Sequence, residues 1–187
     1  MKRNLTPSVF FTTLLLALTS SYFVFAQDTN TDNHQITIQI PTVALLDLET
    51  SGTKNFTAPF VQSTEAGDKI TAPAPNSTLW LNYSSIQTGT TTKRVDVKTS
   101  ALITGVDINL VASTSATGAG TLGTPTAGIT LTGTEQPLIT GIGSAYTVTG
   151  PNNGHQLNYT FAATDANYAA LRSGNTTVTV TYTLVDN

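Results

Sequence analysis

The chain has no cysteine, two histidines, one tryptophan and a single methionine at its start. Without thiols it holds no disulfide scaffold, thiolate zinc site, iron–sulfur cluster or cysteine nucleophile. Charge is scarce as well. Only 10% of the 187 residues are charged, against about a quarter in an average soluble domain. Between Thr99 and Ala162 two charges, Asp107 and Glu135, stand in 64 residues. The formal net charge of −3 and pI near 5.1 argue against nucleic acid and anionic membranes as partners. No stretch beyond residue 26 approaches the roughly 20 apolar residues of a spanning helix. What is abundant is threonine: 38 residues, of which 34 fall in the 161 after Ala26. Threonine is β-branched and suits a pleated, half-solvated surface. An apolar fraction of 39% is too high for a solvated disordered chain.

The first residues read as an address. Met1-Lys2-Arg3 is a basic start, Val9–Leu18 an apolar core, and Val24-Phe25-Ala26 a small-residue cleavage motif. This predicts a signal peptide over residues 1–26 and a mature start at Gln27. A mature chain would keep 6 basic and all 11 acidic residues, net −5. The expectation is export across the inner membrane, to the periplasm, the cell surface or the medium, with no membrane span in the mature chain. Residues 27–33 are polar and read as a tether. Asp28, Asn30 and Asp32 match oxygen positions 1, 3 and 5 of an EF-hand loop. Asn33 stands where glycine is needed and Gln39 where a bidentate glutamate is needed, so a tether is the better reading.

From His34 to the end the pattern is of short strands, read as a single domain over 34–187. Ile36, Ile38 and Ile40 alternate with Thr37 and Gln39, which is period two. Val43–Leu48 follows the kink at Pro41, and Asn55–Val61 is a weaker strand. Leu79, Leu81 and Tyr83 alternate, as do Val95 and Val97, Ile108 and Leu110, Leu157, Tyr159 and Phe161, and Val178 to Leu184. Shorter strands are expected at Ile129–Leu131, Pro137–Ile139 and Tyr146–Val148. Ser113–Gly128, rich in Thr, Gly, Ala and Ser, reads as a long loop or loose hairpin. Asp165–Ser173 is the one helix candidate. Nine or ten short strands with turn residues between them predict an all-β antiparallel sandwich. Ile38, Leu110, Phe161 and Val180 are expected in its core.

Chemistry is thin. Two histidines without an acidic cluster at ligand spacing make no zinc site, and His155 after Asn152-Asn153-Gly154 reads as a turn-rim residue. No Gly-x-Ser-x-Gly elbow is present. Asp47 and Glu49 share one face of a strand, but a glycosidase needs a facing carboxylate across a cleft. No catalytic residue, metal site or cofactor is therefore assigned. Trp80 has the opposite phase to Leu79, Leu81 and Tyr83, so it faces outward if they face inward. Trp80 and Tyr83 are the candidate ligand platform, for a glycan among other surfaces. Asn55, Asn76, Asn82, Asn158 and Asn175 begin Asn-x-Ser/Thr sequons, which matter only in a host that glycosylates Asn.

Two stretches carry a family resemblance. Tyr168-Ala-Ala-Leu171, Gly174 and Thr177-Val-Thr-Val-Thr-Tyr-Thr-Leu184 resemble the closing strand of chaperone–usher pilins and the spore coat U-like group, and Ile36-Thr-Ile-Gln-Ile40 resembles their first strand. Leu79-Trp-Leu-Asn-Tyr83 and Asn152-Asn-Gly-His-Gln-Leu157 resemble uncharacterised secreted proteins of Bacteroidota. The fimbrial resemblance implies an immunoglobulin-like fold and a non-enzymatic, fimbria-like surface subunit. Such a subunit self-assembles or joins another surface protein by strand addition. Ile36, Ile38 and Ile40 are then the candidate donor strand. The competing reading is a secreted glycan- or surface-binding module.

Overall fold

The computed structural model describes residues 30–187. The expected signal peptide and residues 27–29 of the tether lie outside the described residues. Nine strands follow one another: β1 (Val43–Thr50), β2 (Asn76–Ile86), β3 (Lys93–Thr99), β4 (Asp107–Ala112), β5 (Ala119–Pro125), β6 (Ile129–Thr130), β7 (Gln136–Tyr146), β8 (His155–Ala162) and β9 (Val180–Asp186). The fold is all-β, and all the strand ladders are antiparallel. Among the described residues the one helical element is a single 3-10 turn, Tyr168–Ala170. The longer helix expected over Asp165–Ser173 stops there for a local reason. Asn167 makes no capping side-chain bond, and Leu171 is already extended at φ −58°, ψ 140°.

The ladders join into one hydrogen-bonded network with two arms. One arm runs β1-β2-β8-β4-β6, the other β9-β3-β7-β5. They meet where Ser84 and Ser85 of β2 pair with Tyr146 and Ala145 of β7. The apolar residues of both arms form one cluster. Leu81, Leu110 and Leu157 from the first arm and Val95, Val97, Leu138 and Ile142 from the second are fully buried in it. Register explains the phase of β1. Leu46 lies opposite Tyr83 and Leu48 opposite Leu81, and directly opposed residues share a face. Leu46 and Leu48 pack against the core, so Leu45, Asp47 and Glu49 take the outer face of the same strand.

Several expectations are corrected. The segment Ile36–Ile40 is in no strand, and Ile38 is 79% exposed rather than buried. Leu110 is fully buried as expected, whereas Phe161 and Val180 are half-buried at the core margin. Asn55–Val61 is no strand and contributes a single bridge, Val61 to Thr71. The expected loop at Ser113–Gly128 contains β5, which pairs with β7. Pro137–Ile139, expected as a short strand, belongs to one strand of eleven residues that ends at Tyr146, so of the strand expected at Tyr146–Val148 only Tyr146 is included. Gly141 permits this. It sits at φ +69°, where the β3–β7 register shifts between the pairs Lys93–Ile142 and Val95–Ile139. One extra residue in a left-handed conformation is a bulge, which bends a strand without ending it.

Candidate functional site

The structure separates the residues singled out from sequence into three settings. The first is the apolar stretch preceding β1. Ile36, Ile38 and Ile40 are 74%, 79% and 75% exposed, and residues 31–42 belong to no strand. Three β-branched apolar side chains at alternate positions are thus left in water. Burying each would contribute about 1.5–3 kcal/mol.

The second setting is the interior around β2. Trp80 is 7% exposed and Tyr83 4%, so the expected platform presents no ring face to solvent. Trp80 does have the opposite phase to the core residues and stands outside the main apolar cluster, but it is buried all the same. A strand with partners on both sides, β1 on one and β8 on the other, sits in the middle of its sheet. Alternation tells which face a residue takes and not whether that face is wet.

His155 is also internal, not at a turn rim: it is fully buried. Its Nδ1 lies 2.8 Å from the Ser113 carbonyl oxygen. A carbonyl only accepts, so Nδ1 carries a proton. Nε2 lies 2.9 Å from the Tyr83 hydroxyl, and the two rings stack with centroids 5.6 Å apart. The same hydroxyl touches the Leu122 carbonyl. Burial lowers the His155 pKa below its usual 6.5, opposed by its bonds to the Ser113 and Leu122 carbonyls. Burial raises that of Tyr83. A hydroxyl against an imidazole is an arrangement able to pass a proton, but neither ring is open to a substrate. The pair ties β2 to β8 and both to β5. The signal that could have found it is the turn Pro151–Gly154. Gly154 adopts φ +66° and lies directly against Leu81 and Asn82 of β2, which turns the next side chain inward.

A second polar pair, with Tyr159 buried and Tyr182 half-buried, closes the margin of the core. The Tyr159 and Tyr182 hydroxyls touch, and Phe56 covers Tyr159 and Phe161 with ring centroids 5.5 and 6.3 Å away. Burial pushes the Tyr159 pKa up to about 12, partly offset by its bond to Tyr182. Burial also raises that of Tyr182.

The third setting is an open groove of about 420 Å³ along the outer face of β1. Asp47 and Glu49, expected on one strand face, both line this groove with Leu45, Asn82, Tyr146 and Val148. Tyr146 is 54% exposed and Val148 44%. Thr147 fixes the wall that carries them. It is fully buried, its N–H donates to the Tyr83 carbonyl at 3.1 Å, and its Oγ1 accepts from the Tyr83 N–H at 3.0 Å. Val148 consequently adopts φ +72°, a region that costs a β-branched residue about 1–3 kcal/mol.

Among the described residues no group of three or more His, Cys, Asp or Glu is arranged to hold a metal ion. No helix among them is long and apolar enough to cross a membrane. Of the sequons, Asn82 is buried. No family model, curated protein or solved structure matches the chain.

Proposed function

We propose that this chain is a non-enzymatic, exported surface subunit with an immunoglobulin-like sandwich fold, which joins its neighbours by strand addition. The observation that carries the reading is the exposure of Ile36, Ile38 and Ile40 in a segment outside every strand. Apolar side chains at every second position suit an extended peptide whose backbone pairs with a sheet edge while alternate side chains fill pockets. The fold supplies edges: β1 pairs only with β2 and β9 only with β3. Leu46, Leu48, Val180, Tyr182 and Leu184 along those edges are only partly buried against the core. A donor strand from a second copy would cover them. The resemblance of the chain ends to fimbrial-type subunits points the same way. The sealed Tyr83–His155 pair and the bare charge distribution are consistent with a protein that presents surface and not a reaction.

The test is the oligomeric state of the full mature chain across a concentration series, beside its Ile38→Asp variant. Wild type should form concentration-dependent oligomers. The variant should remain monomeric with an unchanged melting temperature, because Ile38 is exposed in the single chain while a carboxylate in an apolar groove is strongly disfavoured. Wild type that is monomeric at every concentration, or a variant whose melt collapses, would refute strand addition.

A further inference from the structure

We infer that the groove on the outer face of β1 is a binding site for a neutral oligosaccharide, with the Tyr146 ring as its apolar platform and the carboxylates of Asp47 and Glu49 as its acceptors. The site does not use Ile36, Ile38 or Ile40, although Leu46, on the β1 edge proposed to receive a donor strand, also lines the groove.

The groove has an apolar and a polar part. Its apolar part is Leu45, Tyr146 and Val148, all exposed. Its polar part is rich in acceptors. Carboxylates only accept hydrogen bonds, and both line the groove; Asn82 beneath it is buried, its Nδ2 donating to the Gly150 carbonyl at 2.9 Å. A ligand matching this surface is rich in hydrogen-bond donors on its rim and apolar on one face. A pyranose chain has that division, with hydroxyls around its edge and C–H groups on its faces. A cationic ligand would also donate, but charge decides against it. Lys54 Nζ lies 3.3 Å from Asp47 Oδ1, so only the Glu49 charge is left uncompensated, and a single carboxylate on an open surface contributes little to holding a cation.

Shape and stiffness agree. The groove is open to solvent, which admits a ligand larger than the groove, and is not a closed cavity for a small apolar molecule. Its Tyr146–Val148 wall is held from behind by the two Thr147 bonds to Tyr83. A tyrosine on a fixed wall offers a flat amphipathic surface at low entropy cost. Trp80 and Tyr83, the rings expected to form such a platform, are both sealed, whereas Tyr146 is exposed and lines the groove with Asp47 and Glu49.

The test is a titration of the full mature chain with four neutral tetrasaccharides, of β-1,4-linked glucose, xylose, mannose and N-acetylglucosamine. Amide chemical shifts and calorimetry are the readouts. At least one sugar should bind saturably and shift the amides of Leu45–Glu49 and Tyr146–Thr149. Its Kd should be the same in low and high salt, because the ligand is neutral. Tyr146→Ala should weaken binding about tenfold or more, while Tyr146→Phe, which keeps the ring, should stay within about threefold. Glu49→Gln, whose fold does not depend on Tyr146, should weaken it by about threefold or more. The inference is overturned if none of the four sugars binds, if the shifts fall elsewhere, or if Tyr146→Ala and Glu49→Gln leave the Kd unchanged. It is equally overturned if the groove instead takes a Lys-Val repeat peptide in a salt-dependent manner.

Discussion

Gly154 gives the most direct test of how the Asn152–Gly154 turn positions His155, and Gly141 is its internal control. Both glycines are left-handed, at φ +66° and +69°. Substituting alanine imposes on each the same conformational cost, about 1–2 kcal/mol. Each also gains about 0.4–1 kcal/mol from a less flexible unfolded chain. The two sites differ in what a Cβ would meet. At Gly141 no heavy atom lies within 4 Å, whereas at Gly154 a Cβ would overlap Asn82 Oδ1 and the Leu81 carbonyl oxygen. The Leu81 oxygen belongs to backbone in register with His155, so it cannot yield without opening the β2–β8 ladder. Overpacking of that kind costs about 1–3 kcal/mol more. Gly141→Ala should therefore lose about 0–1.5 kcal/mol and Gly154→Ala about 1–4.5, the difference between them being the steric contribution. Urea unfolding at neutral pH, followed by fluorescence of the single buried Trp80, measures both. Equal losses in the two variants would refute the close approach and, with it, the reason given for the inward turn of His155.

Two further predictions concern pH. The folded pKa of His155 is lowered below 6.5, so the unfolded chain binds a proton that the folded chain resists. Stability should be full above about pH 6.5 and fall as pH drops toward the lowered folded value; His155→Phe should flatten that limb of a urea-midpoint profile, and an unchanged slope would contradict the assignment. Tyr159 is raised to about 12, so its contribution is present below the unfolded value of about 10 and lost as pH rises. Tyr159→Phe should reduce the alkaline loss of stability between those values, read by circular dichroism, and should remove a late-titrating phenolate from the ultraviolet difference spectrum.

The all-β character was legible because the central strands repeat a two-residue period around Leu79, Val95, Leu110 and Leu157, all of them buried. Elements that lacked that period were missed. β5 carries Gly120 and Gly123 in a mostly exposed strand, so neither apolar alternation nor propensity marks it; it exists because β7 offers it an edge. β7 carries Gly141 at a bulge, which bends the strand without ending it, so its eleven residues do not show as one continuous pattern. Ile36–Ile40 shows the converse failure. Its alternation is as clean as any in the chain, yet it is in no strand of the described residues. Period two reports that a segment is suited to pairing; it does not say with which partner, and a partner in a second molecule leaves the same pattern.

Site residues were harder to read, for a reason rooted in β2. Asn82 and Ser85 are buried beside Trp80 and Tyr83, so this strand tolerates polar and aromatic side chains on either face. The rule that an out-of-phase aromatic is a surface aromatic holds for a strand whose outer face is wet, and at Trp80 the outer face of β2 is buried. Tyr146 obeys the simpler logic. It is the last residue of β7, and its flank is open toward the outer face of β1, where the network passes from one arm to the other. Strand ends at such a junction escape the covering that a strand centre receives. In a chain with two charges between Thr99 and Ala162, the carboxylates of β1 and the exposed ring of Tyr146 therefore meet at the junction of the two arms. That placement follows from the Ser84–Tyr146 and Asp47–Asn82 pairings, neither of which a single-strand pattern contains.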